Sequence, residues 1–255
     1  GTVMMRRNKQ QCKTFYEGML FKTNNDGDLI VTKYVSSQEV HIKFVETCFE
    51  DVVQMSCIKS GTVKDPLSRS VYGVGVVGEE ATRINNRQIK ERELWSSMLT
   101  RCYDDKFHSR FQAYVGCSVS DNFKYFPYFK EWCNQQIGFN IEGFELDKDI
   151  LVKGNKIYSE DTCCFVPREI NSLFVKRKKS RGNFALGVDY KKSVKKFRAR
   201  CGNKYLGLFN TELEAFYAYK QAKETYIKEV ANKWKDQIDP RVYNALMNYQ
   251  VEITD

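Results

Sequence analysis

Residues 184–234 change hydrophobic period once, and that change decides what this part of the chain can fold into. In "KKFRARC" (195–201), Phe197, Ala199 and Cys201 alternate with Lys196, Arg198 and Arg200. Alternation of period two is the mark of a strand with one face buried and one exposed. The stretches "FALGVDY" (184–190) and "KYLGLFN" (204–210) read as two further short strands, separated from it by turns. From residue 211 the period becomes helical. "TELEAFYAYKQAKETYIKEVANKW" (211–234) places Ala215, Tyr219, Ala222, Tyr226 and Val230 or Trp234 on one stripe, and Thr211 with Glu214 forms a T-x-x-E capping box. A sheet and a helix with one apolar face each must cover one another. The expected unit is a three-stranded antiparallel sheet packed on a long helix, with Phe197 and Tyr219 buried between them. Lys196, Arg198 and Arg200 are left on the open face, and Tyr205 of the next strand can stack on a base or sugar edge.

Charge falls on the same region. The chain carries a net charge of +9. Residues 172–210 hold twelve Lys and Arg against a single acid, Asp189, so this segment contributes +11 and the remainder sums to −2. An ordinary solvated surface interleaves both signs, whereas concentrated positive charge is the footprint of a polyanion binder. Two- and three-stranded ribbons fit the major groove of B-DNA, where arginine pairs bidentately with guanine O6 and N7.

Residues 182–226 closely resemble the APETALA/ethylene-response-factor DNA-binding domain. Gly187-Val188, Phe197, Ala199, Leu206-Gly207, Phe209, Thr211, Glu214-Ala215 and Ala218-Tyr219 occupy the places of that family's turn, strand, cap and packing positions. The family reads DNA with its sheet. The resemblance therefore implies that Lys191, Arg198, Arg200 and Tyr205 face double-stranded DNA, and the strand alternation adds Lys196 to the same DNA-binding face. Leu186 and Asp189 stand where plant members carry arginines, so the plant sequence preference does not transfer.

Upstream, "LIVTKYV" (29–35) and "EVHIKFVE" (39–46) read as strands preceded by the turn "NNDGD" (24–28), which predicts a small β-barrel or sandwich. His41 belongs to the polar side of the second strand. "SGTVKDPLSRSVYGVGVVG" (60–78) reads as a linker with close backbone approach, because no helix follows its glycines as a dinucleotide loop requires. Trp95, Met98, Leu99, Cys102 and Tyr103 predict a helix within 87–103, and Phe126, Phe129, Trp132, Cys133 and Ile137 a second one after Asp121. Residues 138–171 read as irregular chain, "VKRKKSRGN" (175–183) as a basic linker, and Asp239-Pro240 as the start of a short last helix carrying Val242 and Leu246.

Inside the irregular stretch, "LDKDILVKGNKIYSEDTCCFVPREIN" (146–171) resembles an HNH nuclease site. The resemblance implies Asp147 as a metal ligand, Asn155 as the structural asparagine and Asn171 as the last ligand, with magnesium or manganese as cofactor if the site is active. Lys148 stands in the place of the general-base histidine. An ordinary lysine, with a pKa of about 10.4, is protonated at neutral pH and cannot take a proton from water. The adjacent acids Asp147 and Asp149 favour that charged form further. His108, in a polar stretch, reads as a surface residue, and the neighbouring Cys163 and Cys164 as packing. The order of the motifs, from "GTVKDPLSRSVYGVG" through "LWSSMLTRCY" to "LDKDILVKGNKIYS", resembles proteins of tailed bacteriophages.

At 255 residues the chain is long enough for several domains. The expected α+β organisation is a small β module over 1–78, a degenerate HNH-like module over 79–174 and the sheet-and-helix DNA-binding domain over 175–255. Nine cysteines without a C-x-x-C pair, beside two histidines, argue against zinc fingers and for buried thiols in a reducing, bacterial-type cytoplasm. No apolar run is long enough to span a bilayer, and the first residues lack a signal-peptide core. Three readings stand: a phage-type DNA-binding protein, a metal-dependent endonuclease using Lys148 or another group as base, and a phage factor engaging a host protein through its β module.

Overall fold

The computed structural model describes residues 6–174 and 182–255. Its secondary structure is α+β, and the chain divides into two compact units, one ending at Glu131 and the other beginning at Trp132.

In the first unit, helix α1 (Lys9–Tyr16) precedes strands β1 (Leu20–Phe21), β2 (Leu29–Ser36), β3 (Glu39–Phe44) and β4 (Glu50–Val53), and helix α2 (Met55–Ser60) follows them. The strands form an antiparallel sheet in sequence order and do not close into a barrel. Leu29, Val31, Val40, Ile42 and Phe44 form its buried face, and Tyr16, Met55 and Ile58 from the two helices join the same core. The sequence reading expected a barrel or sandwich. The sheet has one apolar face, and helices rather than a second sheet cover it. His41 lies among the partly exposed positions of β3, 3.6 Å from Glu39.

Residues 60–78 are tied down along their length. Asp26 accepts the Asp65 N–H at 2.7 Å and the Ser68 hydroxyl at 2.8 Å, and buried Asp65 accepts the Thr47 hydroxyl at 2.6 Å. A Cβ on Gly75 would lie 2.6 Å from Leu99 and 2.9 Å from Trp95, so the expected close approach occurs, in packed chain rather than a free linker. A small hairpin, β5 (Arg83–Ile84) and β6 (Arg87–Gln88), turns through Asn85 and Asn86 at φ 51° and 63°. Helix α3 (Lys90–Tyr103) buries Trp95, Met98, Leu99 and Cys102 as its periodicity predicts. His108 lies on a short helix, α4 (Asp105–Arg110), which a 3-10 turn and strand β7 (Ser118–Val119) follow. The division between units falls within helix α5 (Phe126–Gln135). Phe126 and Phe129 are buried in the first unit, where Trp95 meets Phe126 and Phe123 meets Phe129 edge-on.

The second unit departs from the expected irregular chain. Strands β8 (Phe144–Asp147) and β10 (Cys164–Pro167) pair antiparallel, with β9 (Ile157–Tyr158) between them in sequence and helix α6 (Arg168–Ser172) directly after. Trp132 and Cys133 are buried as expected, whereas Ile137 lies beyond the end of α5 and is 49% exposed. Strands β11 (Val188–Lys191), β12 (Lys196–Cys201) and β13 (Lys204–Phe209) form the three-stranded antiparallel sheet, and helix α7 (Glu212–Trp234) packs against all three. Thr211 caps α7 by accepting the Glu214 N–H at 3.1 Å. Helix α8 (Pro240–Met247) is capped by Asp239, which accepts the Arg241 N–H, and buries Val242 and Leu246. The basic stretch 175–181 lies outside the described residues.

Helix α7 serves two partners. Its first half buries Ala215, Phe216 and Tyr219 under the sheet. At its far end Trp234 meets Phe144 edge-on, and both Lys233 and the Trp234 indole donate to Glu169 of α6 at 2.8 Å. Chain after α8 closes back on the same body. Lys153 donates to Gln250 O and Asp255, Lys220 donates to Glu224 and Val251 O, and Phe174 packs on Tyr249. Burial beside Asp255, Glu252 and Asp149 pushes the Tyr249 hydroxyl up to about 12. The nine cysteines form no disulfide, and among the described residues no helix is long and apolar enough to cross a membrane.

Candidate nucleic-acid interface

The sheet's two faces follow from strand register. Paired residues share a face, so Val188, Ala199 and Gly207 lie on one side with Tyr190, Phe197 and Phe209. This is the helix side: Val188 and Ala199 are buried, as are Ala215 and Tyr219 opposite. Gly187 sets the closeness of the packing. It has φ 71°, and a Cβ there would lie 2.2 Å from the Tyr219 ring and 2.7 Å from Arg200 O. Phe197, near the start of β12, packs against the Phe184 and Tyr190 rings at 5.6 and 5.1 Å and is only partly buried, where burial between sheet and helix was expected.

The opposite face gathers Asp189, Lys191, Lys196, Arg198, Arg200, Tyr205 and Leu208. All five residues expected to meet nucleic acid are among them. A bulge lies between the pairs Ala199–Gly207 and Arg200–Tyr205, leaving Leu206 without an opposite residue. Such a bulge strengthens the local twist and lets a strand re-aim its side chains. Tyr205 is 58% and Leu208 38% exposed. Lys191 and Lys196 stand directly opposite one another. Like charges in that relation oppose folding unless an anion lies over them. Arg198 is different. Asp189, its cross-strand partner, accepts from Nε at 2.9 Å and from Nη2 at 2.5 Å. Sequence reading singled out Asp189 as a departure from the family pattern but not as the partner of Arg198, because that contact depends on strand register.

The hairpin residues are arranged in the opposite sense. Asp147 turns inward on its own loop, and one oxygen accepts the Asp149 and Ile150 N–H groups, both at 2.8 Å. Burial raises its carboxyl above the ordinary range, against those two hydrogen bonds. Lys148 is buried and donates to Asp149 at 2.9 Å and to Asn155 O at 3.1 Å. Asn155 donates to Lys148 O at 2.8 Å and Ile157 O at 2.6 Å and accepts the Ile157 N–H at 3.1 Å, pinning the loop as a structural asparagine does. Asn171, on α6, donates to Glu145 at 2.8 Å, and Arg168 reaches the other Glu145 oxygen at 3.0 Å. The Asn171 amide first, and Arg168 with it, hold the Glu145 carboxyl below its usual range against the effect of burial. Sequence reasoning missed Glu145 altogether. Cys163 and Cys164 are fully buried, and burial pushes the Cys163 thiol up to about 12 and Cys164 further.

A hard divalent cation needs several oxygen donors directed at one point. Here one Asp147 oxygen accepts from the backbone, Asn171 donates its amide N–H to Glu145, and the Lys148 ammonium lies within the same loop. Among the described residues, no group of three or more His, Cys, Asp or Glu could hold a metal ion. No protein-family model matches the chain, and no curated protein or solved structure matches it either.

Proposed function

We propose that this chain is a duplex-DNA-binding protein, of the kind its sequence resembles in tailed phages, that reads DNA with the open face of β11–β13. The observation that carries this reading is the shared face of Lys191, Lys196, Arg198, Arg200 and Tyr205, opposite the side that the helix covers. Four cations on a twisted ribbon supply the phosphate attraction that dominates affinity for DNA. The exposed phenol of Tyr205 and side chain of Leu208 add surfaces for base or sugar contact. The sheet is held from behind by a capped helix, so the face meets DNA already ordered, and little conformational entropy is lost on binding.

In this reading the Asp147–Asn171 hairpin is a support for α7 and the C-terminal segment, not a cleavage site. Lys148 is held as a hydrogen-bond donor and presents no base to a water molecule. Titration of duplex DNA with the whole chain at increasing salt tests both halves. Affinity is expected to fall linearly on logarithmic axes with a slope that reflects several phosphate contacts. Supercoiled plasmid incubated with the protein and magnesium or manganese is expected to stay intact. A flat salt dependence would remove the sheet as a DNA surface. Metal-dependent nicking lost on Asp147→Ala would establish the endonuclease reading instead.

A further inference from the structure

Cross-strand geometry gives Asp189 a role that the open face alone does not. A guanidinium has two hydrogen-bonding edges, one made by Nε and one terminal nitrogen, the other by the two terminal nitrogens. Asp189 takes the first edge of Arg198 through Nε and Nη2. Nη1 has no partner among the described residues, so the second edge is left for a ligand. The Arg198 side chain keeps 22% of its surface exposed, on the face it shares with Lys196, Arg200 and Tyr205. A charge-assisted bidentate pair holds the group in one plane and one direction.

We propose that Asp189 is a specificity-determining residue that orients Arg198 to read guanine, directing the free edge of the guanidinium at O6 and N7 of a G·C pair in the major groove. The inference rests on the DNA-binding reading above and adds to it the base that the sheet selects. Electrostatics makes the role distinctive. Asp189 is an acid in a cationic face and opposes phosphate binding, so any contribution it makes has to come through orientation. Its removal is expected to separate affinity from selectivity: general attraction to phosphate holds or rises, while preference for guanine falls. An acid that merely stabilised the strand pair would not move that ratio.

The test compares binding of the whole chain to three duplex probes, poly(dG-dC), poly(dA-dT) and poly(dG-dC) carrying 7-deazaguanine, which lacks the N7 acceptor. Wild type is expected to prefer poly(dG-dC) over the other two by about tenfold or more, the discrimination of one bidentate arginine–guanine contact. In Asp189→Asn and Asp189→Ala that preference is expected to fall below about threefold, a loss of most of that one contact's discrimination, with poly(dA-dT) affinity unchanged or higher and the melting curve retained. Wild-type binding without guanine preference, or a preference that survives both substitutions, would overturn the role of Asp189 and leave DNA binding standing. Failure of wild type to bind any of the three probes would overturn the DNA-binding reading and this inference with it.

Discussion

The open sheet face and the β8–β10 hairpin are both rich in polar residues, yet they direct their hydrogen bonds in opposite ways. Asp147, Lys148, Asn155 and Asn171 bond to their own loop or to Glu145. On the sheet, Arg198 is tied along one edge only, while Lys191 and Lys196 face each other as like charges. Polar groups that meet their needs internally stabilise a fold, whereas cations set side by side repel one another and attract anions. The likeness of the hairpin to a nuclease motif lies in residue types and spacing. Its bonding is that of a loop held in place.

The largest expected effect that separates the two regions is on binding. Arg198→Ala with Arg200→Ala is expected to weaken duplex DNA binding on the order of 100-fold, at roughly 1–3 kcal/mol for each contact removed. Helix content and melting temperature should stay at wild-type values, since neither side chain lies on the helix side. Near-wild-type affinity in the double variant would place the DNA surface elsewhere.

A variant in the hairpin should do the reverse. Asn155→Ala removes bonds to Lys148 O and Ile157 O and from the Ile157 N–H. Leaving such groups without partners costs roughly 2 kcal/mol in unfolding free energy. Chemical denaturation is expected to show that loss with DNA affinity unchanged. A drop in affinity at full stability would make the loop part of the interface.

Much of this contrast was legible in the sequence, and the illegible part has physical causes. The stripes of α3 and α8 could be read because each of those helices buries one continuous face. On α7 the periodicity predicts a stripe that includes Tyr226, which is 44% exposed, whereas Ile227 beside it is fully buried. The reason is that α7 packs first on the sheet and then on α6 and Phe144, so its buried face rotates along its length. Residues 138–171 read as irregular because β10 is buried at all four positions and shows no alternation. The pairs Asp189–Arg198 and Glu145–Asn171 arise from strand register and helix placement, which residue spacing alone does not reveal.

The smallest expected effect is on pH dependence, where two carboxylates on β8 should act with opposite signs. Hydrogen bonds from Asn171 and Arg168 depress the Glu145 pKa, so its contribution is present above the ordinary carboxylate value and is lost as pH falls through the depressed one. Glu145→Gln should therefore lower the melting temperature at neutral pH, with the difference vanishing in acid. Burial raises the Asp147 pKa, so ionising it opposes folding as pH rises from the ordinary carboxylate value through the raised one. Asp147→Asn, which keeps an oxygen for the Asp149 and Ile150 N–H groups, should gain on wild type across that window. Parallel profiles for the two variants would show that these carboxylates are not held as described.

Amine footprinting with an acetylating reagent, read by mass spectrometry with and without duplex DNA, compares both regions in one experiment. Lys191 and Lys196 lie on the sheet face, Lys153 and Lys156 are exposed near the hairpin, and Lys148 is buried. DNA is expected to protect Lys191 and Lys196 and to leave Lys153 and Lys156 as reactive as before, with Lys148 unreactive throughout. Protection of Lys153 and Lys156 while Lys191 and Lys196 stay reactive would contradict the account and move the DNA from the sheet to the hairpin.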